Sequence, residues 1–186
     1  MKTLQEEYAH RAAQTSDINE HMPTLSALAE QCRTVCEFGV RHGNSTIALL
    51  HGLNAGFRDA NAQTALHSFD IQPAQLEVPE APGVDWTFTQ ADTSKLQSIP
   101  SCDMLFIDTA HTHAQVIAEL RHAHSVSRYL AFHDTVLFGW SDEFSGKPPG
   151  IMQAIFDFLA TQEGRRWYVS AHYPSNNRLL ILKAYQ

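Results

Sequence analysis

The sequence predicts an α/β domain in which a doubly wound, mostly parallel sheet ends in an antiparallel hairpin. Three observations predict it. Short apolar runs alternate with stretches of helical periodicity along most of the 186 residues, the pattern of crossovers that cover both faces of a sheet. The last two strand-like runs, 167–170 and 179–182, are joined by a short polar turn containing Pro174-Ser175-Asn176-Asn177. A parallel crossover needs a dozen or more residues, so that pair runs antiparallel. The composition, 44% hydrophobic and 18% charged, is that of one folded domain with a sizeable core.

Each element follows from local pattern. Residues 1–22 are polar and read as a loose N-terminal helix or arm, leaving 23–186 as the main domain. Met22-Pro23-Thr24 opens a helix to about Gln31, with Leu25, Leu28 and Ala29 at helical spacing. Residues 34–38 form a buried strand that Gly39 ends, and Asn44-Ser45 caps a helix with Ile47, Ala48 and Leu50 inward and Gly52 near its end. A polar loop is expected at 54–63. Strand 65–69 closes at Asp70, the proline-bearing stretch 73–83 is loop, and 86–89 alternates as a third strand. Residues 94–98 hold one helical turn at most. Strand 104–107 carries Asp108 at its tip, and a helix over 114–124 turns Val116, Ile117 and Leu120 inward, with His113 near its cap. Strand 129–132 ends at His133-Asp134, and a long loop spans 138–149. A helix over 151–161 buries Ile155, Phe158 and Leu159 before the final strands.

Charge and cysteine content exclude several classes. Thirteen basic against twenty acidic residues give −7, with no basic surplus to neutralise phosphates, so neither nucleic acid nor a membrane surface is the expected partner. Cys32, Cys36 and Cys102 are odd in number and lack metal-ligand spacing, which suits reduced thiols in a cytoplasmic protein. The N-terminal residues lack a signal peptide's apolar stretch, and no apolar run reaches the ~18 residues of a membrane span.

Ligands of open α/β sheets bind beyond the carboxyl ends of the strands. Five successive strand tips here carry polar groups: Glu37 to Thr46, Asp70, Gln90-Ala91-Asp92, Asp108-Thr109-Ala110-His111 and His133-Asp134-Thr135. Any one could be a cap or turn residue; five in register point to a site. Gly39 and Gly43 allow close backbone approach to a ligand, but in G-x-x-x-G spacing, which is neither the dinucleotide G-x-G-x-x-G nor a P-loop. Glu37 would repel a pyrophosphate, whereas Asp70 is placed to accept hydrogen bonds from ribose hydroxyls. A nucleoside without phosphates fits that combination.

The segment Glu37-Phe38-Gly39-Val40-Arg41-His42-Gly43-Asn44-Ser45-Thr46 resembles the first motif of class I S-adenosylmethionine-dependent methyltransferases. Phe106-Ile107-Asp108-Thr109-Ala110-His111 and Ala131-Phe132-His133-Asp134-Thr135 resemble the IDG-x-H and HD motifs of a branch that includes relatives of catechol, macrocin and cephalosporin-type O-methyltransferases. The resemblance runs from about Asp17 to the end. It implies a Rossmann-like seven-stranded sheet with an antiparallel final strand. It also implies S-adenosyl-L-methionine as cofactor and a small-molecule hydroxyl as acceptor. Gly39 and Gly43 would line the methionine part with Glu37 nearby, Ser45 would help hold its carboxylate, Asp70 would bind the ribose, and Asp92 would lie beside the adenine.

In metal-dependent relatives, the tips equivalent to Asp108, His133 and Asp134 bind a divalent cation, usually magnesium. Neighbouring strands lie about 4.8 Å apart, so these side chains can converge. Histidine stands here where a carboxylate is usual; two carboxylates and an imidazole favour manganese, iron or zinc over magnesium. Alternatively His133 orients Asp134 or the substrate and no metal binds. His111, three residues after Asp108, occupies the offset that carries the general base in those relatives. His122 and His124 are expected at the surface. Trp140, Glu143 and Phe144 lie on the loop that overhangs the site, as pocket wall or lid. With no inserted lid domain, the acceptor is small or a second subunit of a homodimer completes the pocket. The competing readings are a nicotinamide-dependent reductase, whose glycine pattern is absent, and a catalytically silent cofactor-binding domain.

Overall fold

The computed structural model describes residues 2–56 and 63–185. Its strands are β1 (Thr34–Phe38), β2 (Thr64–Asp70), β3 (Val84–Gln90), β4 (Cys102–Ile107), β5 (Val126–Phe132), β6 (Trp167–Tyr173) and β7 (Leu179–Ala184). The helices are α1 (Leu4–Ala13), α2 (Met22–Ala29), α3 (Asn44–Gly56), α4 (His113–Leu120) and α5 (Ile151–Leu159).

The seven strands form one sheet in the order β3-β2-β1-β4-β5-β7-β6. Strands β1 to β5 pair in parallel, and β7 is antiparallel to both β5 and β6. The chain builds outward from β1 to β3, then crosses back to lay β4 on the other side of β1. That reversal separates the loops after β1 and β4 and opens a crevice at the carboxyl edge. One apolar core, with Leu25, Leu50 and Phe106, lies on the α1–α3 face; the other, with Phe38, Leu105 and Phe132, lies under α4 and α5. Because both faces are covered, the central strands are near-continuous apolar runs.

The N-terminal segment is more tightly fixed than a loose arm. Thr3 and Glu6 form a capping box on α1, Leu4 and Ile18 are buried, and both belong to the α1–α3 core. Helix α3 runs past Gly52 to Gly56, because Gly52 is a contact and not an end. A Cβ there would stand 2.1 Å from the Ser26 carbonyl oxygen, so its absence lets α2 and α3 pack backbone to backbone. Of the loop expected at 54–63, residues 54–56 are the last turn of α3, 63 precedes β2, and 57–62 lie outside the described residues.

Helix α4 gives way to a 3-10 segment at Arg121–Ser125. Its buried face runs through Val116, Glu119 and Leu120, while Ile117 is exposed, so a carboxylate occupies part of the face that periodicity reserved for an aliphatic. Thr112 and not His113 caps the helix, its hydroxyl accepting from the Gln115 amide at 3.1 Å, and His113 pairs with Asp157. His124 is exposed as expected. His122 is buried edge-on against Phe38, where loss of solvent depresses its pKa. Among the described residues no helix is long and apolar enough to cross a membrane.

Candidate active site

A cavity of about 720 Å³ lies across the carboxyl edge of the sheet, walled by the loops after β1 to β5. Gly39, Asp70, Asp92, Asp108, His111 and Asp134 line it, so most of the residues singled out from the sequence do meet at one place.

The loop after β1 is built around Gly39. Its φ is +90°, and a Cβ would fall 1.9 Å from the Asp108 carbonyl oxygen, so the β1 and β4 tips touch only because the residue is glycine. Asp70 braces the same loop. Its Oδ2 accepts from the Val40 and Arg41 amides at 2.7 and 3.0 Å, and its Oδ1 accepts from Gln72. Asp92 caps its own turn: Oδ1 accepts from the Ser94 amide and hydroxyl, and Oδ2 pairs with Lys95 at 2.8 Å.

Three residues expected to serve the cofactor stand back from the open cavity. Glu37 is fully buried and does not line the cavity; its carboxylate accepts from the hydroxyls of Ser45 at 2.6 Å, Thr46 at 2.9 Å and Ser68 at 2.6 Å. Burial pushes its pKa up to about 7 despite those three donors. Ser45 is likewise buried, its hydroxyl committed to Glu37 and not to a ligand carboxylate. Gly43 lies under Leu76, which covers the spot where a side chain would emerge. In a strand buried on both faces, side chains point into the core whatever the polarity of the tip, and Glu37 is solvated there by hydroxyls instead of by ligand.

The second half of the cavity is an ionic cluster. His111 Nε2 stands 3.3 Å from Asp108 Oδ1 and 3.0 Å from Asp134 Oδ2. Its Nδ1 faces Glu143 Oε2 at 3.2 Å, and the same oxygen accepts from the His111 amide. A carboxylate can only accept, so Nδ1 carries a proton and Nε2 is the atom presented to Asp108 and Asp134. Phe138 stacks on the imidazole at 4.8 Å. Burial would depress the His111 pKa, but bonding and charge from Asp108 and Asp134 outweigh it and raise it to about 10.

His133 lies beneath the cavity floor, 2% exposed. Its Nε2 is 3.0 Å from the Asn176 carbonyl oxygen, which fixes the proton there and turns Nδ1 toward the acidic pair. Asp134, with φ +57°, is held back toward that ring. Burial works against ionisation of both aspartates, yet the two imidazoles hold both carboxyls below the usual carboxylate range.

One donor from each of Asp108, His133 and Asp134 lies within 4.8 Å of the others, a spacing that fits a metal ion. His133 Nδ1 stands 3.4 Å from both Asp108 Oδ1 and Asp134 Oδ2, and Asp134 Oδ1 is buried with no hydrogen-bond partner among the described residues, so the carboxylates converge with an acceptor to spare for a cation.

Sequence reasoning missed four contributors. Glu143 was placed near the site but not on His111. Gln115 lines the cavity, while Glu119 and the Asn176 carbonyl stand behind it on Gln115 and His133, and no spacing in the sequence signals these tertiary contacts. The Asn176 carbonyl also accepts from His21, whose ring packs edge-on to His133.

A family model described as "Methyltransferase domain" matches residues 36–137, from β1 to the loop after β5. The chain belongs to that family. No curated protein sequence matches it. Among solved structures, a Klebsiella pneumoniae protein assigned as an O-methyltransferase superposes with a TM-score of 0.63 at 18% identity, covering 97% of this chain and 87% of that one. The O-methyltransferase of Bacillus cereus, in complex with S-adenosylhomocysteine, gives 0.60 at 15% identity, covering 100% and 92%. MycE of the mycinamycin pathway, in complex with magnesium, S-adenosylhomocysteine and mycinamycin VI, gives 0.61 at 16% identity, covering 97% and 53%. At such identities the likeness is one of fold: the sheet is that of class I methyltransferases. Family and fold together set aside the nicotinamide-dependent reductase.

Proposed function

We infer that the protein transfers a methyl group from S-adenosylmethionine to a hydroxyl of a small molecule. The observation that carries this is the placement of the family-matched segment: its two ends, the glycine loop and the His111–Asp134 cluster, face one cavity at the β1/β4 reversal. Two of the similar structures hold S-adenosylhomocysteine, which supports the cofactor.

The cavity wall suits that cofactor electrostatically. Asp70, Asp92, Asp108, Asp134 and Glu143 line it against Arg41 and His111, so a sulfonium is attracted and a pyrophosphate is not. The acceptor lies between His111 and the Leu137–Phe138 and Phe144 side of the cavity. In-line displacement forms the C–O bond as the C–S bond breaks, and the bonding pair leaves with sulfur as a thioether. The hydroxyl proton passes to His111 Nε2, while Glu143 holds the opposite edge of the ring.

The surrounding carboxylates set the condition for that step. They keep His111 protonated, and Nε2 becomes a proton acceptor once positive charge engages Asp108 and Asp134. Asp108, His133 and Asp134 would hold a divalent cation, which when bound would acidify the acceptor hydroxyl. The imidazole favours manganese, iron or zinc over magnesium.

Calorimetry with S-adenosylhomocysteine tests the cofactor: one-to-one binding is expected, and absence of heat at saturating ligand sinks the reading. Given an acceptor, His111→Ala is expected to lower kcat by about 10²–10⁴-fold. EDTA is expected to abolish turnover and added manganese to restore it; indifference to chelation removes the metal but leaves methyl transfer standing.

A further inference from the structure

The glycine loop between β1 and α3 holds a shape that needs support. Arg41 stands at φ +47°, a region that is costly for a residue with a side chain. On its amide side the loop is braced from within the family-matched segment, where Asp70 accepts from Val40 and Arg41. On its carbonyl side it is held from outside that segment, by Arg11 in the last turn of α1. Arg11 Nη1 donates to the His42 carbonyl oxygen at 2.7 Å and to Asn44 Oδ1 at 3.0 Å.

A cation beside the first residue of α3 meets the positive end of that helix's dipole, which by itself is unfavourable. Glu7, one turn earlier on α1, offsets it by accepting from Arg11 Nε at 2.6 Å. The pair aims the guanidinium across the gap between α1 and the loop. A second link, Arg41 to Asp17 at 2.8 Å, joins the loop to the same N-terminal segment. Its side chains are 71% and 44% exposed, so solvent screens it and its hold is weak. Those of Arg11 and Glu7 are 20% and 16% exposed, and the charge-assisted bonds of Arg11 are the stronger tie. Gly39, Val40 and Arg41 line the cavity and Arg11 does not, so a change at Arg11 reaches a ligand only through the loop.

Resting on the cofactor reading above, we propose that Arg11 is a positioning residue for cofactor binding, fixing the carbonyl side of the glycine loop in the shape that receives S-adenosylmethionine. Without the guanidinium the loop populates other backbone conformations, and the apparent affinity falls with the fraction that remains competent.

The test is calorimetry with S-adenosylhomocysteine, at a temperature where every variant is folded, beside hydrogen exchange of the loop amides in the ligand-free protein. Arg11→Met keeps an apolar stem and removes the donors. It is expected to weaken binding about ten-fold and to speed exchange at Val40, Arg41 and Gly43. Arg11→Lys, which keeps a cationic donor for the His42 carbonyl, should recover part of both effects. Leu4→Ala loosens the packing of the same helix without touching the loop contacts. It should lower the melting temperature and leave affinity and loop exchange unchanged, as would Arg11→Met if Arg11 were purely structural. Wild-type affinity in Arg11→Met, or an equal loss in Leu4→Ala, overturns the proposal while leaving the cofactor reading intact. Absence of binding by wild type overturns both. Should Arg11→Met fail to fold, Asn44→Ala, which removes one of the two acceptors, decides by the same readouts: unchanged affinity and exchange overturn the proposal.

Discussion

At Gly39 the backbone holds a φ of +90° with the Asp108 carbonyl oxygen where a Cβ would be. Gly39→Ala must therefore both strain the loop and push β1 and β4 apart. A loss of about 3 kcal/mol or more in urea denaturation is expected, together with loss of S-adenosylhomocysteine binding. Glu37 carries a different consequence of burial. Its folded pKa is about 7 against an ordinary value of 4.5, so the native state holds a proton that the unfolded chain has released between those values. Its effect on stability thus worsens as pH rises from 4.5 to 7, by about 3 kcal/mol in full, and is flat above. Unfolding curves across that window should show Glu37→Gln gaining on wild type as pH rises; a constant difference would mean the carboxylate is already ionised at pH 5. The residue types at the strand tips were legible, but not their direction. Glu37 and Ser45 turn to one another in the core, while Asp108 and Asp134 border the cavity.

At the scale of elements, the loop from His133 to Gly150 shapes the acceptor side. It places Phe138 on His111 and carries Glu143 to the far edge of the same ring. It also leaves Leu137, Trp140 and Phe144 largely exposed, Phe144 at 77%. Since little of Phe144 is buried, Phe144→Ala should change stability by no more than about 0.5 kcal/mol. Because the ring borders the cavity, the variant is expected to raise the acceptor KM several-fold with cofactor binding unchanged. An unaltered KM would place the acceptor elsewhere. The β6–β7 turn shows why part of the site was invisible in sequence. Asn176, Asn177 and Arg178 all adopt positive φ. The Asn176 carbonyl orients His133 through the backbone, and a carbonyl has no residue type to read. The strands and most helices were legible because apolar periodicity reports burial directly; Gly52 was misread because a close helix contact and a helix end use the same residue.

For the molecule as a whole, the N-terminal helix is part of the core. Leu4 is 5% exposed and packs within the α1–α3 cluster, so Leu4→Ala should cost about 2–3 kcal/mol in chemical denaturation. A loosely attached arm would instead lose almost nothing. The segment also reaches the site: His21 bonds the carbonyls of Ser175 and Asn176 at 2.9 and 3.1 Å, joining the N-terminal segment to the turn that orients His133.

The order of strands and helices, the antiparallel end of the sheet and the rim that carries the polar tips were determined by sequence alone. Apolar periodicity, connection length and strand polarity are local properties, and the sheet geometry follows from them. Tertiary structure decided which polar tips face the cavity, which hydroxyls solvate a buried carboxylate, and how Glu143 and Asn176 orient the rings of the site. Those are contacts between residues distant in the chain, set by how the loops fold over the crevice, and no local pattern encodes them.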